Sequence, residues 1–378
     1  MKDKKISVII PAYDASKTIG KVLKALINQN YPNYDVFIID DCPEHPIEKQ
    51  IKNFQKHFKH LYYLKNRKNI GLAKSINKGI RLSKSDIIVI LHDDCVPLSK
   101  NWLNQLKAGF IDEKVAVVTS RFFIDFNRLN LSNKIFSYIY NLGEHLTQKN
   151  KKPLKNPFKY IDHIGDKCDA FRRNILEKIG LFDETFSFAN EDTDISNKIL
   201  KSGHKIVLNR NAHVIHIFSE TQRQFSIITH MKKALQLTKQ SIYVFLRHKV
   251  GYKLDCMLAL IFVLIGFLSN IHLLNFILIF LTLFFSRIFF TFVIVLYLTY
   301  FLVNFLYGSK LMYSLAYIAI LYLLLKSLYK SFKYIKDTKK LILAIPIFIF
   351  SLIWDILAGI GWIRGTFIYL FKNEKRKK

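Results

Sequence analysis

This sequence of 378 residues has few acidic side chains and few cysteines, and it lacks the common nucleotide-binding loop motifs. It has 28 Asp and Glu against 57 Lys and Arg, a net charge of +29. Its 4 cysteines lie far apart with no Cys-x-x-Cys, which argues against a disulfide scaffold or a zinc site and favours reduced thiols. No Gly-x-Gly-x-x-Gly or Gly-x-x-x-x-Gly-Lys loop follows the first β-rich run, which disfavours dehydrogenases and P-loop enzymes. No signal peptide is expected before that run.

The basic surplus is concentrated in the second part of the chain. Residues 223–378 hold 21 of the Lys and Arg side chains but 4 of the Asp and Glu side chains, and 51% of the whole chain is hydrophobic. Disordered basic tails lack such apolar content. Because the surplus surrounds long apolar runs, we attribute it to membrane topology and expect no nucleic-acid partner.

Long apolar runs predict an α-helical transmembrane region at residues 255–325. Arg287 is the sole charged residue between Cys256 and Ser309, and a spanning helix needs about 20 apolar residues. Basic segments flank the region on both sides, and short basic loops stay in the cytoplasm, so the number of spans should be even. Four short spans are favoured, and two tilted spans with an interfacial piece are the alternative.

The segments around this region complete the predicted layout. Residues 223–254 are expected to form an amphipathic juxtamembrane segment. Residues 326–340, with six lysines and one aspartate, are expected to form a basic cytoplasmic loop. Residues 341–378 are apolar again, but proline, glycine and charged residues interrupt them. They predict a re-entrant or interfacial hydrophobic hairpin that ends in a basic tail.

Residues 1–222 alternate short β-rich runs with helical periods. The runs have the length of buried parallel strands and comprise residues 6–12, 35–40, 61–64, 86–91 and 115–119. The helical periods occupy residues 17–30, 47–58 and 72–82. This alternation predicts an α/β domain with a mostly parallel sheet flanked by helices. In such sheets ligands bind beyond the carboxyl ends of the strands.

Acidic residues follow two of these strands. Asp40 and Asp41 end the second run, and His92, Asp93 and Asp94 follow the fourth. Neighbouring carboxylates repel each other unless a cation or hydrogen-bond donors compensate them. A divalent ion bound to a diphosphate is one such compensation. The alternative is that the aspartates cap turns and helices, and the presence of two pairs at two strand ends favours the ion.

The order and spacing of several motifs resemble the inverting glycosyltransferases of family 2, which have the GT-A fold. The motifs lie within residues 5–218 and are Ile6–Tyr13, Val36–Asp41, Asn69–Ala73, Leu91–Pro97, Phe171–Arg173, Gly180–Glu184 and Glu191–Ser196. The resemblance implies a nucleotide-sugar donor site at Pro11, Tyr13, Asp41, Asn69, Gly71 and Asp93. It also implies that Asp94 binds a divalent cation, Mn²⁺ or Mg²⁺. His92 stands where the family's DXD triplet begins with Asp.

The resemblance further implies the residues of the acceptor side. Asp192 is the expected catalytic base, with Glu191 as a helper or an acceptor contact. The alternative is that these acidic residues only favour a helix N-terminus. A histidine often completes the metal site of this fold, and His216 matches that position better than His213. His92 lies on the same strand face as Asp94 and stays an alternative ligand.

Together these features imply a membrane-bound enzyme that transfers a sugar, with inversion, from a nucleotide-sugar to a lipid-linked, polyprenyl-type saccharide. The catalytic domain is expected on the cytoplasmic face of a multi-pass protein in the cell membrane. A polyprenyl-phosphate glycosyl synthase is the alternative, although no Asp-x-Asp-x-Gln follows the fourth strand. The chain also lacks the Gln-x-x-Arg-Trp motif that a processive polysaccharide synthase would carry. A non-enzymatic membrane scaffold would have no reason to keep the strand-end carboxylates.

Overall fold

The chain divides into two units, and a mixed sheet of ten described strands forms the centre of the first. The computed structural model describes residues 4–124, 129–139, 144–145, 153–165, 167–186, 189–217, 225–239, 241–248, 256–259, 311–338 and 341–374. The first unit comprises Met1–Lys134 and Leu142–Phe225, and the second comprises Ile135–Asn141 and Ser226–Lys378. The main boundary lies close to residue 222, where the sequence predicts the end of the catalytic domain.

Strands and helices alternate through the first unit. The strands are β1 (Ile6–Ala12), β2 (Tyr34–Asp40), β3 (Leu61–Lys65), β4 (Ile87–Leu91), β5 (Cys95–Pro97), β6 (Val115–Ile124), β7 (Glu144–His145), β8 (Phe158–Ile161), β9 (Cys168–Arg172) and β10 (Lys205–His216). The helices are α1 (Ile19–Ile27), α2 (Glu48–Gln55), α3 (Leu72–Leu82), α4 (Trp102–Ala108), α5 (Leu131–Ile139), α6 (Arg173–Lys178) and α7 (Glu191–Lys201). The strand order is β3-β2-β1-β4-β9-β6-β10-β5, with β7 beside β6 and β8 beside β10.

Continuous apolar runs form the central strands because both faces of the sheet are covered. β1 and β4 are buried along their whole length. Along β1, Val8 and Ile10 belong to one hydrophobic core, whereas Ile9 belongs to the other, as the alternation of side chains along a strand requires. The helical stripe of α1 is buried through Val22 and Leu26. The predicted α/β class, with a sheet flanked by helices, is therefore confirmed.

The sheet is parallel in its first half and mixed beyond it. Strands β3, β2, β1 and β4 run parallel, with Val8 opposite both Val36 and Val89. β9 then inserts antiparallel between β4 and β6, with Cys168 opposite Leu91. The amino end of β9 therefore lies at the same edge as the carboxyl end of β4. That edge collects the residues discussed below.

The second unit is helical in the part that the structure describes. Its helices are α8 (Ile227–Lys239), α9 (Ser241–His248), α10 (Leu311–Thr338) and α11 (Ala344–Glu374), together with the residues of α5 from Ile135 onward. The expectation of a loop at residues 326–340 is wrong as far as Thr338, because α10 continues through it. The Nζ atoms of Lys326 and Lys330 lie 3.8 and 3.5 Å from buried Asp355 of α11. These lysines therefore contribute to the contact between α10 and α11 in addition to their positive charge.

The hairpin predicted within residues 341–378 is also wrong, because residues 344–374 form one helix. Pro346 is its third residue, within the first turn, where a missing N–H costs no helical hydrogen bond. Gly361 and Gly365 face α8, where an added Cβ would collide with the Thr238 hydroxyl and with the Lys239 backbone. From the sequence these glycines were expected to interrupt the helix. In the structure they allow two helices to approach closely.

One described helix is long and apolar enough to cross a membrane by its length and composition. It is the 23-residue part of α11 from Ala344 to Thr366. Residues 260–310, where most of the predicted spans fall, lie outside the described residues.

Candidate active site

Residues that the sequence predicts to bind ligands follow or end four strands, and they lie at one edge of the sheet. Tyr13 follows β1, Asp41 follows β2, and Asp93 and Asp94 follow β4. These strands are parallel neighbours, so their carboxyl ends coincide. β10 brings its last residue, His216, opposite Cys95.

Asp94 and His216 form a buried pair at this edge. The His216 Nε2 atom lies 2.9 Å from Asp94 Oδ2, and both side chains are almost inaccessible to solvent. The Ile217 N–H donates to the Asp94 carbonyl at 2.9 Å, which fixes the end of β10 against this segment. Burial alone would raise the pKa of Asp94, but the facing His216 imidazole holds the pKa of that carboxyl well below its usual range. The structure thus brings the two expected metal ligands together.

Asp93 and His92 flank this pair in different ways. Asp93 Oδ2 accepts the Tyr13 N–H at 2.9 Å, which connects the loop after β1 to the segment after β4. Desolvation and the adjacent Asp94 charge raise the pKa of the Asp93 carboxyl. The His92 N–H donates to the Lys167 carbonyl at 2.9 Å. His92 contributes to the low pKa of Asp94, whereas the hydrogen bond to Asp94 comes from His216.

Asp41 shapes the loop that precedes α3. Its Oδ1 and Oδ2 atoms each accept a backbone N–H at 2.8 Å, from Ile70 and from Gly71 respectively. Asn69 Oδ1 also accepts the Gly71 N–H, at 3.0 Å. Gly71 has φ +91°, a conformation that side chains disfavour. Asp41, Asn69 and Gly71, which are expected to bind the nucleotide-sugar donor, are therefore joined by hydrogen bonds.

Asp40 has a structural role instead. It accepts the N–H groups of Cys42 and Ile47, both at 3.2 Å, and the Tyr63 hydroxyl at 2.6 Å. Protein N–H and O–H groups therefore compensate both carboxylates of this first acidic pair. The capping alternative is the correct one for Asp40.

Asn66 is a site residue that sequence reasoning missed. It is buried, donates to Asp41 Oδ1 at 2.9 Å and accepts the Lys78 ammonium at 2.6 Å. It directly follows β3, so its strand-end position was the available signal.

The acidic first turn of α7 separates its carboxylates by exposure. Glu191 and Asp194 are buried, and Asp194 pairs with Lys198 at 2.8 Å. Asp192 keeps 21% of its side chain exposed, and its Oδ1 accepts the Thr193 N–H at 2.7 Å. Asp192 is thus better placed than Glu191 to meet a ligand.

The remaining motif residues hold elements together. Asn77 of α3 exchanges hydrogen bonds with the Phe182 backbone, at 2.8 and 3.2 Å, and it contacts Glu184 at 3.0 Å. His213 lies edge-on to Phe123, and its Nε2 is 2.6 Å from the Arg210 carbonyl. These contacts support a structural role for His213. Pro11 is buried within β1.

The family match covers strands β1 to β9 of the sheet but ends before α7 and β10. Residues 7–180 match the family model "Glycosyl transferase family 2". The chain is similar to the "Probable glycosyltransferase YdaM" of Bacillus subtilis, with 25% identity over 208 residues, 53% of this chain and 48% of that protein. The chain thus spans about half of that relative's length. It is also similar to the glycosyltransferase AglE of Haloferax volcanii, with 23% identity over 269 residues, 70% of this chain and 82% of that protein.

A solved structure supports the fold. The mannosyltransferase PcManGT of Pyrobaculum calidifontis, solved with GDP-Man and Mn²⁺, superposes with a TM-score of 0.52 at 13% identity, and the alignment covers 95% of this chain and 87% of that one. At this identity the similarity concerns the fold alone. The family match and the two relatives support a glycosyltransferase domain of family 2 at residues 7–180, and the similar fold agrees with it.

Proposed function

We propose that the protein transfers a sugar from a nucleotide-sugar donor, with inversion, to a lipid-linked glycan acceptor at the cytoplasmic face of the membrane. One observation carries the proposal: the Asp94–His216 pair lies at the sheet edge where β4 ends. The segment that leads into β9 ends at this edge, where Cys168 pairs with Leu91, and its His163 contacts Thr193 beside Asp192. A metal-binding pair and an accessible carboxylate at one edge are what a displacement between a phosphate leaving group and a hydroxyl nucleophile needs.

The donor would lie along the loops after β1, β2 and β4. Asp41, Asn69 and Gly71 form the hydrogen-bonded group proposed for the nucleotide, and Pro11 and Tyr13 border it from β1. Tyr13 is 58% exposed, so its ring is available to a ligand. The mannosyltransferase of similar fold was solved with GDP-Man, which supports a nucleotide-sugar as the donor class.

Asp94 and His216 would hold a divalent cation. Their carboxylate oxygen and imidazole nitrogen are ligands that Mn²⁺ accepts and that Mg²⁺ accepts less readily at nitrogen. The described residues contain no cluster of three or more His, Cys, Asp or Glu that could hold an ion. Donor phosphate oxygens would therefore supply further ligands, as is common for such ions. When bound, the ion neutralises the charge that grows on the leaving diphosphate.

Asp192 would act as the base on the acceptor side. As the acceptor oxygen bonds to the anomeric carbon, the bond from that carbon to the phosphate oxygen breaks, and the diphosphate leaves with the electron pair. The proton of the acceptor hydroxyl passes to the Asp192 carboxylate. Attack from the face opposite the leaving group inverts the anomeric carbon. Glu191, the preceding residue, is buried and would support Asp192 indirectly.

The second unit supports a membrane setting for the acceptor. The helix from Ala344 to Thr366 is long and apolar enough to span a bilayer, and Ile345, Ile349 and Ile353 on it are exposed. An apolar exposed face suits lipid tails. A lipid-linked acceptor would be confined to the membrane surface, which raises its effective concentration for an enzyme bound there.

Donor binding tests this proposal. Purified full-length protein is incubated with a panel of UDP-, GDP- and dTDP-sugars, with and without Mn²⁺, and the thermal unfolding midpoint is measured. We expect at least one nucleotide-sugar to raise the midpoint with Mn²⁺ and the Asp94→Asn variant to lose that increase. Asp86→Asn is the matched control, since exposed Asp86 precedes the opposite end of β4. Equal donor responses in the Asp94 and Asp86 variants would contradict the proposal.

A further inference from the structure

The segment between β8 and β9 packs onto the turn that carries Asp192. Ile164 N–H donates to Ser196 Oγ at 3.0 Å, and Ser196 Oγ donates to the Asp192 carbonyl at 2.6 Å. His163, next to Ile164, lies 3.0 Å from Thr193 Oγ1 through its Nε2 atom. Two contacts, from the consecutive residues His163 and Ile164, thus join the segment to the first turns of α7.

The sheet in turn holds this segment. The Gly165 N–H donates to Thr119 Oγ1 of β6 at 3.0 Å and to Asp169 Oδ1 of β9 at 3.1 Å. The Ile164 side chain is buried. His163 is therefore presented to α7 from a fixed backbone, although its own side chain is 46% exposed.

The orientation of the His163 ring follows from its partners. Its Nδ1 atom lies 2.7 Å from the Ile164 carbonyl oxygen. A carbonyl oxygen only accepts, so Nδ1 carries a proton and Nε2 is directed at α7. With a proton on Nε2 as well, the ring donates to Thr193 Oγ1, and the Thr193 hydroxyl then donates to Asp192 Oδ1.

The contacts of His163 reach both oxygens of the Asp192 carboxylate. Thr193 Oγ1 lies between the ring and Asp192, 3.4 Å from Asp192 Oδ1. The Nε2 atom itself is 3.6 Å from Asp192 Oδ2. An aspartate in a first helical turn otherwise chooses among several side-chain rotamers. The ring and the hydroxyl together restrict that choice.

We propose that His163 is a positioning residue that, with Thr193, holds the Asp192 carboxylate in the orientation in which it removes the proton of the acceptor. This inference rests on the proposed role of Asp192 as the base. His163 itself takes no part in bond making, and its effect is exerted through Asp192. A base that is held in one orientation accelerates proton removal far more than the same group when it rotates freely.

Two substitutions of His163 separate this role from simple anchoring of the loop. His163→Asn keeps an amide nitrogen near the position of Nδ1, and hence the bond to the Ile164 carbonyl, but it loses the group that faces Thr193. His163→Gln places an amide near the position of Nε2 and gives up the bond within the loop. Thr193→Val removes the hydroxyl and keeps the shape of the side chain. His57→Asn, at an exposed site after α2, is the control.

The assay is hydrolysis of the donor by water, followed as release of nucleoside diphosphate from the UDP-, GDP- or dTDP-sugar that the parent enzyme hydrolyses fastest. Positioning predicts that His163→Asn and Thr193→Val each lower kcat about tenfold at unchanged KM, while His163→Gln stays within about threefold of the parent. The double variant should lose no more than either single variant, because the two residues act as one unit. Unchanged unfolding midpoints, including that of His57→Asn, exclude a folding defect.

The opposite ranking, with His163→Asn near the parent and His163→Gln impaired, would mean that His163 only anchors the loop and would overturn the inference. The Asp192→Asn variant keeps this failure separate from failure of the proposed function. If Asp192→Asn hydrolyses the donor at the parent rate, Asp192 is not the base. If Asp192→Asn is inactive while His163→Asn matches the parent, the function stands and the role of His163 is wrong.

Discussion

Asp41 illustrates, at the scale of a single residue, how one carboxylate organises a loop that a ligand is expected to contact. Its two oxygens accept the N–H groups of Ile70 and Gly71 and the amide of Asn66. The resemblance of the strand end identified Asp41 as a ligand residue, but it carried no information on these partners. They lie 25 to 30 positions away in sequence, and only the fold brings them together.

We expect Asp41→Ala to lower the free energy of unfolding by about 1–3 kcal/mol, because two backbone N–H groups lose their acceptor. The change should also weaken donor binding, since the loop around Gly71 would lose its shape. Urea unfolding of the purified protein in detergent measures the first effect. Asp86→Ala, at an exposed position, should stay within about 0.5 kcal/mol of the parent. A similarly small change in Asp41→Ala would show that the loop is held by other contacts.

At the scale of elements, the sequence predicts the structure best where one periodicity dominates. β1, β2, β4 and α3 lie within a residue or two of their predicted bounds, because burial on both sheet faces requires unbroken apolar runs. β5, β8 and β9 were not predicted, since strands this short exist only through their partners in the sheet. α11 was mistaken for a hairpin because Gly361 and Gly365 are explained by α8, which the sequence does not place beside them.

Helix α8 supplies a pH-dependent contribution to stability. His230 is buried and stacks on Phe136, with ring centroids 4.2 Å apart. Burial, and to a smaller extent Lys233, lowers the pKa of His230 from 6.5 to about 3. Between these values the unfolded chain binds a proton that the folded chain excludes. The stability is therefore fully present above pH 6.5 and is lost as the pH falls towards the folded pKa.

We expect the unfolding free energy of the parent protein to fall by about 2 kcal/mol between neutral pH and about pH 5 from this residue. His230→Phe, which keeps an aromatic ring against Phe136, should show a smaller fall. Fluorescence of Trp354 and Trp362, both in the second unit, follows the unfolding. His57→Asn is the control for loss of a histidine. An identical pH response in His230→Phe and the parent would contradict this account.

At the scale of the whole molecule, the sequence makes a clear prediction about membrane topology. Basic residues flank the apolar region on both sides, so both flanks should lie in the cytoplasm. The cysteines at positions 42, 95, 168 and 256 are buried, which gives a low background for labelling introduced cysteines with thiol reagents.

A cysteine introduced at Lys333 should react with a membrane-impermeant thiol reagent only after the cells are opened. The reason is that an even number of spans returns the chain to the side on which it started. The parent protein, with its native cysteines, is the control. Labelling of this position in sealed cells would contradict the even number of crossings.

The central claim is that the edge carrying Asp94, His216 and Asp192 transfers sugar from a nucleotide donor. Its most direct test is the rate of donor turnover by Asp192→Asn, measured beside donor affinity, with Glu191→Gln as the neighbouring control. The claim predicts a loss of about 10²- to 10⁴-fold in rate at nearly unchanged donor affinity, because the base contacts the acceptor and not the donor. Turnover by Asp192→Asn at close to the parent rate would contradict it.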